Sequence, residues 1–515
     1  MESVSTDIEN IKYLTPSFDN DEKLKQFFKQ SLDGETGHYL IIPSMSFDQE
    51  LLEGIEGIGH YELRSLWEIL RVKKKNTYVT FVTSNQISKT FLKHFIDVFS
   101  LTKEELSRIF FVICPRINGQ LSLTKNILES PGVLFEIKKS FRSNNIVMES
   151  FVCTEDEKKL GKSLGIPVWY GHPQMNYFHT KSGNRYLVEG IAPMPQGESN
   201  LFSKEAVIRA LIKLKNNNIS NKYFMLKLNF GVSGQGNMKL SLSKSNWEKL
   251  NMKEKKIIAE RSLLEGNCFN LKLNHEEFLQ RIVSEGAVVE EFVQGKIVDS
   301  PSAQVFVSPM GVDLISTHRQ ILDDDGQKFV GGEFPCLEED KEVISAIALK
   351  IGNSLKEKKV FGVTSIDFLI VNDGGKRECF VIELNIRKGG TTHPFMISNI
   401  ALKSRQYYNN GLLKGDDNNT YIYRSNDNFY PNRSLFKCEK SLLSEVQKSG
   451  ILFCSKNKKG VIFHLLNSYE EIGKVGYTVI GKDIHEINTL EGSLKRALTS
   501  PGSRKLSIVA RNTLH

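Results

Sequence analysis

Between positions 38 and 153 the chain alternates short apolar runs with amphipathic ones. The runs HYLIIPS (38–44), TYVTFVTS (77–84), IFFVIC (109–114) and NIVMESFVC (145–153) predict strands. The intervening patterns ELRSLWEILRV, from Glu62, and SKTFLKHFIDVF, from Ser88, predict helices. Short apolar strands separated by amphipathic helices predict a parallel sheet covered on both faces. The first strand is not followed by GxGxxG, so no dinucleotide is assigned to this region.

From about residue 177 to 413 the rhythm changes to longer strands, glycine-rich turns and few helices. A helix is predicted over 341–358, with Val343, Ile347, Ile351 and Leu355 stacked at four-residue spacing. The segment 414–434 is rich in Asn and Asp and reads as a loop or linker. A small final unit follows: strand GVIFHLL (460–466), a short helix, strand GYTVIG (476–481), and a last helix capped by Asp483 with Glu486 as its capping-box partner. The expected division is 1–175, 176–413, a linker over 414–454, and 455–515. A prior of about 100–200 residues per domain agrees with three or four units in 515 residues.

Composition changes this picture little. A hydrophobic fraction of 40% and a charged fraction of 25% describe an ordinary globular chain. The net charge of +8 is small for this length, and the basic clusters at 71–75 and 455–460 lack interleaved aromatics, which argues against a nucleic-acid groove. The seven cysteines form no Cys-x-x-Cys pair and several sit in apolar runs, as buried free thiols of a reducing cytosol do. The polar, acidic start is not a secretory h-region, and no apolar run approaches the roughly 18 residues that span a bilayer. A cytoplasmic protein without membrane or nucleic-acid partners is expected.

Candidate chemistry lies in the middle region. In FMLKLNFGVSGQGN (224–237), Lys227 stands on a strand that runs into Gly231, Ser233, Gly234, Gln235 and Gly236. An ammonium followed by free backbone N–H groups suits phosphate; a hairpin turn with an exposed lysine fits the same residues equally well. VVEEFVQG (288–295) carries Glu290 and Glu291 into Phe292 and Val293, an edge strand with solvated acids or a hinge for an adenine edge. In VTSIDFLIVNDGGK, Asp367 precedes a D-G turn. In VIELNIRKGG (381–390), Glu383, Asn385 and Arg387 alternate with Ile382, Leu384 and Ile386. A hairpin would bring Asp367 to Glu383 and Asn385. Hard oxygen ligands without His or Cys are the donor set of magnesium; the alternative is a cross-strand ion pair with Arg387. Arg387 and the glycines and threonines after it suit an anionic group. His393, before a proline, is expected in an extended or turn conformation.

The order of these pieces resembles the ATP-grasp superfamily. The segments KSGNR (181–185), KLNFGVSGQGN, VVEEFVQG, PSAQV from Pro301 and ELNIRKGGTTHP are similar to pheganomycin-type peptide ligases. IIPSMSFD and HYELRSL resemble that family's pre-ATP-grasp domain, and the final unit its small C-terminal domain. The resemblance implies an N-terminal parallel α/β pre-ATP-grasp domain, a central α+β ATP-grasp domain and a small C-terminal α/β unit. It implies ATP and magnesium, with two ions, as cofactors. Lys181 and Lys227 would contact the α- and β-phosphates, and 231–236 would be the phosphate loop. Glu290, with Glu291 and the backbone at Phe292 and Val293, would frame the adenine. Asp367, Glu383 and Asn385 would hold metal. Arg387 would steady the γ-phosphate or acyl phosphate, with Arg319 a second candidate. Where D-alanine–D-alanine ligases have an arginine two residues before the metal aspartate, this chain has Ser365, and Asp299 stands nearest the place of their ribose ligand.

The implied activity joins a carboxylate to an amine through an acyl phosphate, releasing ADP and phosphate, with amino-acid or peptide substrates. A small-molecule kinase or a carboxylate–thiol or carboxylate–hydroxyl ligase would use the same grip on ATP. The oligomeric state is left open, a homodimer included.

Overall fold

The computed structural model describes residues 37–47, 49–52, 55–116, 122–169, 177–231, 236–243, 246–269, 274–293, 296–322, 329–373, 376–404 and 411–499. Three sheets organise them. The first holds β1 (Gly37–Ile42), β2 (Thr77–Thr83), β3 (Ile109–Ile113), β4 (Ile146–Ser150) and β5 (Val168–Trp169) in the order β3-β2-β1-β4-β5, all parallel. Leu40, Ile41, Ile42, Val79, Phe81 and Val82 are buried, as strands covered on both faces require. Both expected helices form, Ile58–Lys73 as a 3-10 helix and Lys89–Phe99 with Ser88 as its cap.

The second sheet is antiparallel: β6 (Gly197–Leu201), β7 (Tyr223–Leu228), β8 (Asn237–Ser241), β9 (Asn267–Cys268) and β10 (Ala287–Glu291), ordered β6-β10-β7-β8-β9. The third is larger, with β11 (Lys296–Asp299), β12 (Pro301–Val307), β13 (Val312–Leu322), β14 (Phe329–Phe334), β15 (Gly362–Asp373), β16 (Lys376–Asn385), β17 (Ile422–Phe429), β18 (Gly460–Leu465) and β19 (Val475–Gly481). Its order is β11-β15-β12-β13-β14-β17-β19-β18, with β16 on the other side of β15. Helices α1 (Lys181–Val188), α2 (Glu338–Glu357) and α3 (Thr392–Ala401) pack against these two sheets.

Several expectations change in detail. The segment 414–434, expected as a loop or linker, contains β17, which joins β14 to β19, and helix Glu439–Lys448 follows it. Tyr423, Ser425 and Asp427 alternate inward along β17. The buried face carries polar groups, so hydropathy hides the strand. In α2 the buried seam is Ile344, Ala348, Ile351 and Leu355, while Val343 is exposed. Ile351 and Leu355 are buried as expected, while in the first two turns the seam over β12 and β13 shifts by one residue, to Ile344 and Ala348. Asp483 does accept from the Glu486 N–H, at 2.8 Å, but the Glu486 carboxylate takes Lys482 N–H rather than the cap's own, so the box is open. The seven cysteines are free. Among the described residues no helix is long and apolar enough to cross a membrane.

The β15–β16 hairpin carries the site. Asp367 pairs with Glu383, but Phe368 pairs with Val381, which leaves Ile382 as the extra residue of a bulge. Val381, Leu384 and Ile386 are buried, and Ile382 is only half-buried. The bulge thus resets the alternation just before the acid. Ile366 lies under this pairing, fully buried against Leu384 and Ala303 in register. Ile366→Ala is expected to cost about 2–5 kcal/mol, read as a lower urea midpoint; an unchanged midpoint would contradict this placement of the core.

Candidate active site

The expected acid pair forms. Asp367 Oδ1 accepts from Gln320 Nε2 at 2.6 Å, and Oδ2 accepts from Asn385 Nδ2 at 2.9 Å. Glu383 Oε1 meets Lys181 Nζ at 2.5 Å. Burial and the neighbouring Glu383 carboxylate raise Asp367 to about 7, against the opposing pull of Arg387 and Lys181. Burial also works against charge on Glu383, but Lys181, Arg387 and Lys227 outweigh it and hold Glu383 below its ordinary value. Arg387 is lowered by burial, partly offset by Glu383 and Asp367, and its guanidinium lies 5.0 Å from the centre of the Phe47 ring. The two acids therefore share one spot at unequal cost. Glu383 is neutralised by cations, and Asp367 is held by amide donors.

Local chemistry places Lys181. Thr180 caps α1, its hydroxyl accepting from Gly183 N–H at 2.9 Å. A Cβ on Gly183 would stand 1.9 Å from the Tyr177 carbonyl oxygen, so only glycine lets α1 approach this closely. The Asn229 carbonyl oxygen accepts from Lys181 N–H at 3.1 Å, and Asn229 Oδ1 accepts from Ser182 N–H at 3.0 Å. Asn184 Oδ1 accepts from Leu384 N–H at 2.8 Å, which seats the outer edge of β16 against the helix.

A second charge cluster forms where β7 and β10 pair. Glu290 Oε2 meets Lys227 Nζ at 2.6 Å, and Oε1 meets Arg185 Nη1 at 2.7 Å. Although Glu290 is buried, Lys227 and Arg185 hold its carboxyl below the ordinary value. Glu290 is therefore not the solvated acid of an edge strand. Glu291 instead accepts from Asn218 Nδ2 at 3.0 Å. Phe292 N–H donates to the Tyr223 carbonyl, and its ring lies 4.6 Å from Lys239 Nζ, with Val293 next in the chain. Gly231 and Gly236 form a narrow neck, since a Cβ on Gly236 would lie 3.2 Å from Gly231 Cα. Ser233, Gly234 and Gln235 lie outside the described residues.

A cavity of about 310 Å3 gathers Lys181, Glu383, Asn385, Arg387 and Gly231 with Phe47, Cys153 and Arg281. A larger cavity of about 820 Å3 elsewhere is lined by none of the expected site residues.

Arg319 is not brought to this group. It pairs with Asp299 at 2.9 Å and Glu333 at 3.8 Å, and its neighbour Gln320 reaches Asp367 instead. Side chains one apart on a strand point to opposite faces, so an arginine at 319 cannot share the face used by residue 320. Asp299, in turn, is occupied by that arginine. His393 is helical, in the first turn of α3 and buried, bonding Asp427 Oδ1 at 3.2 Å; the following proline sits in a helix's first turn, where its missing N–H is tolerated. Sequence reasoning missed Gln320 and Arg185. Arg185 was legible four residues after Lys181, one turn along the same helix. Gln320 carried no signal short of knowing which face of β13 meets β15.

Residues 263–389 match a family model described as IQCH-like, ATP-grasp, and residues 441–494 match one described as PGM1 C-terminal domain. The chain is 22% identical over 475 residues to an L-propargylglycine–L-glutamate ligase of Streptantibioticus cattleyicolor, covering 90% of this chain and 94% of that one. It is 18% identical to IQ motif-containing protein H of Danio rerio over 407 residues, 71% of this chain and 38% of that protein. Among solved structures, a biotin carboxylase of Campylobacter jejuni aligns with TM-score 0.53 at 14% identity, covering 89% and 90% of the two chains. An N5-carboxyaminoimidazole ribonucleotide synthetase of Thermus thermophilus aligns with TM-score 0.50 at 13% identity, covering 90% and 98%. The chain has the ATP-grasp fold.

The Glu290 cluster yields a prediction that needs no substrate. Glu290→Gln leaves Lys227 and Arg185 facing each other in a buried site and is expected to cost about 3–5 kcal/mol, read as a lower thermal midpoint. A variant as stable as the parent would contradict the pairing.

Proposed function

We propose that the chain is an ATP-dependent ligase that joins a carboxylate to an amine, forming an amide or peptide bond between amino-acid-like or peptide substrates. One observation carries this reading: Lys181, Glu383, Asn385 and Arg387 line one cavity, with Asp367 hydrogen-bonded to Asn385 behind them. The extended similarity to a ligase that acts on two amino acids supports it. The division into units over 1–175, 176–413 and a C-terminal unit is proposed with it, with residues 414–454 entering the large sheet through β17 instead of linking it.

Asp367, Glu383 and Asn385 fit magnesium, because two adjacent half-buried carboxylates and an amide oxygen are hard donors, and a divalent cation relieves the repulsion between the carboxylates. Bound there, magnesium would neutralise charge on phosphoryl oxygens. Lys181 and Lys227 hold the α- and β-phosphate oxygens, which requires Lys181 to exchange Glu383 for phosphate. Glu290 and Arg185 keep the Lys227 ammonium aimed along β7. A substrate carboxylate oxygen attacks the γ-phosphorus, and the bond to the ADP oxygen breaks. Arg387 stabilises the charge on the transferred group. A neutral amine then attacks the acyl carbon, the bond to phosphate breaks, and the amine proton leaves to solvent.

ADP release is expected to require both an acid and an amine, measured by a coupled assay over an amino-acid panel. Release with a single hydroxyl acceptor would make the protein a kinase instead. Glu383→Gln is expected to lower the rate by about 10²–10³-fold with the fold intact by circular dichroism. Near-normal turnover would overturn the assignment of Glu383.

A further inference from the structure

The residue after Arg387 is buried and charged. Lys388 is 3% exposed, and its ammonium is paired with the Glu68 carboxylate and lies 3.9 Å from Glu149 Oε2. Arg71 completes the cluster, its guanidinium 2.7 Å from Glu68 and 2.6 Å from Glu149. Glu68 and Arg71 belong to helix Ile58–Lys73, and Glu149 belongs to β4. The cluster therefore joins the parallel sheet's domain to the turn that leaves β16. Lys388 N–H also approaches the Phe151 carbonyl oxygen, at 3.4 Å.

Five residues on, the same segment is tied down again. His393 Nε2 lies 3.2 Å and His464 Nε2 2.7 Å from Asp427 Oδ1, while Arg64 Nη1, from the same helix as Glu68, holds Oδ2 at 2.8 Å. With that guanidinium on its second oxygen, Asp427 is the hub of a hydrogen-bonded junction rather than a metal ligand.

Stability alone does not explain Lys388. Replacing a buried ion cluster by apolar residues of similar volume is often neutral or stabilising, whereas breaking one leaves an uncompensated charge. What the cluster adds is a unique position, because each of its four charges demands a partner. Arg387 faces the opposite way, into the cavity with Glu383. Arg387 stands in a bend just past β16, its N–H donating to the Asn385 carbonyl oxygen at 2.8 Å and its Nη1 to the carbonyl oxygen of Lys388 itself at 3.4 Å. An anchored Lys388 therefore fixes the direction of Arg387.

We propose that Lys388 is a positioning residue: gripped by Glu68 and Glu149 of the N-terminal domain, it aims the Arg387 guanidinium at the reacting group. The kinetic part of this inference rests on the ligase reading. Lys388→Met alone leaves two buried carboxylates against one cation and can unfold the chain, so the test uses E68Q/K388M, which removes one charge of each sign and leaves Arg71 with Glu149. The double variant is expected to lower kcat for ADP release by about 100-fold, the order expected for a misplacement of about 1 Å, with KM for ATP within about twofold. Lys388→Arg, which keeps the charge, is expected to retain most of the parent kcat. An unchanged kcat in the folded double variant would overturn the proposal. Crystal structures of parent and double variant give a readout free of turnover: Arg387 is expected to leave its place beside Glu383 in the variant, and an identical position in both would also overturn it. Should the parent release no ADP with any acid and amine, the ligase reading fails, and the two crystal structures still decide the role of Lys388.

Discussion

The ion pair between Lys181 and Glu383 is the contact on which the rest of the site depends. Glu383 lies on the edge strand of the large sheet, and Lys181 opens a helix hung from the smaller antiparallel sheet through Asn229. Burial works against charge on this half-buried carboxylate, and the cations beside it outweigh that and hold it ionised. The pair therefore bridges the two sheets at the cavity. The Thr180 cap and the Asn184 bond to β16 hold α1 in that place, and glycine at 183 lets the helix pack on the backbone of Tyr177 and Phe178.

Three buried clusters differ in their charge, and the difference suits their places. Lys388 and Arg71 balance Glu68 and Glu149, away from the cavity that holds Glu383, which is what a fixed joint between domains needs. Lys227 and Arg185 share the single acid Glu290, so this cluster carries surplus positive charge where β7 runs toward the glycine segment. At Glu383 and Asp367 the acids are matched by Lys181 and Arg387, and Asp367 sits close to neutral pH. On the proposed reading, a polyphosphate with its cation would change the partners in the second and third clusters and leave the first untouched.

The parallel domain was legible because strands covered on both faces are written as continuous apolar runs. The Asp367–Glu383–Asn385 group was legible because a D-G turn and period-two alternation define a hairpin without tertiary information. The failures have physical causes too. Ile382 is pushed out by a bulge, which alternation cannot foresee. Arg319 and Gln320 differ only in which face of β13 they occupy, and sequence does not say which face meets β15. Strand β17 was hidden because its buried residues include Ser425 and Asp427, whose burial is stabilised by partners from Arg64 to His464 that lie far away in sequence. The environment of Glu290 was left open between a solvated acid and a hinge because its two cations, Lys227 and Arg185, come from separate segments.

The proposed first step is phosphorylation of a carboxylate at this site. Hydroxylamine intercepts an acyl phosphate and converts it to a stable hydroxamate. With purified protein, magnesium, ATP and a panel of amino acids and short peptides, but no amine substrate, a hydroxamate of one acid class should accumulate in step with ADP. ADP release with no hydroxamate from any acid would rule out an acyl phosphate.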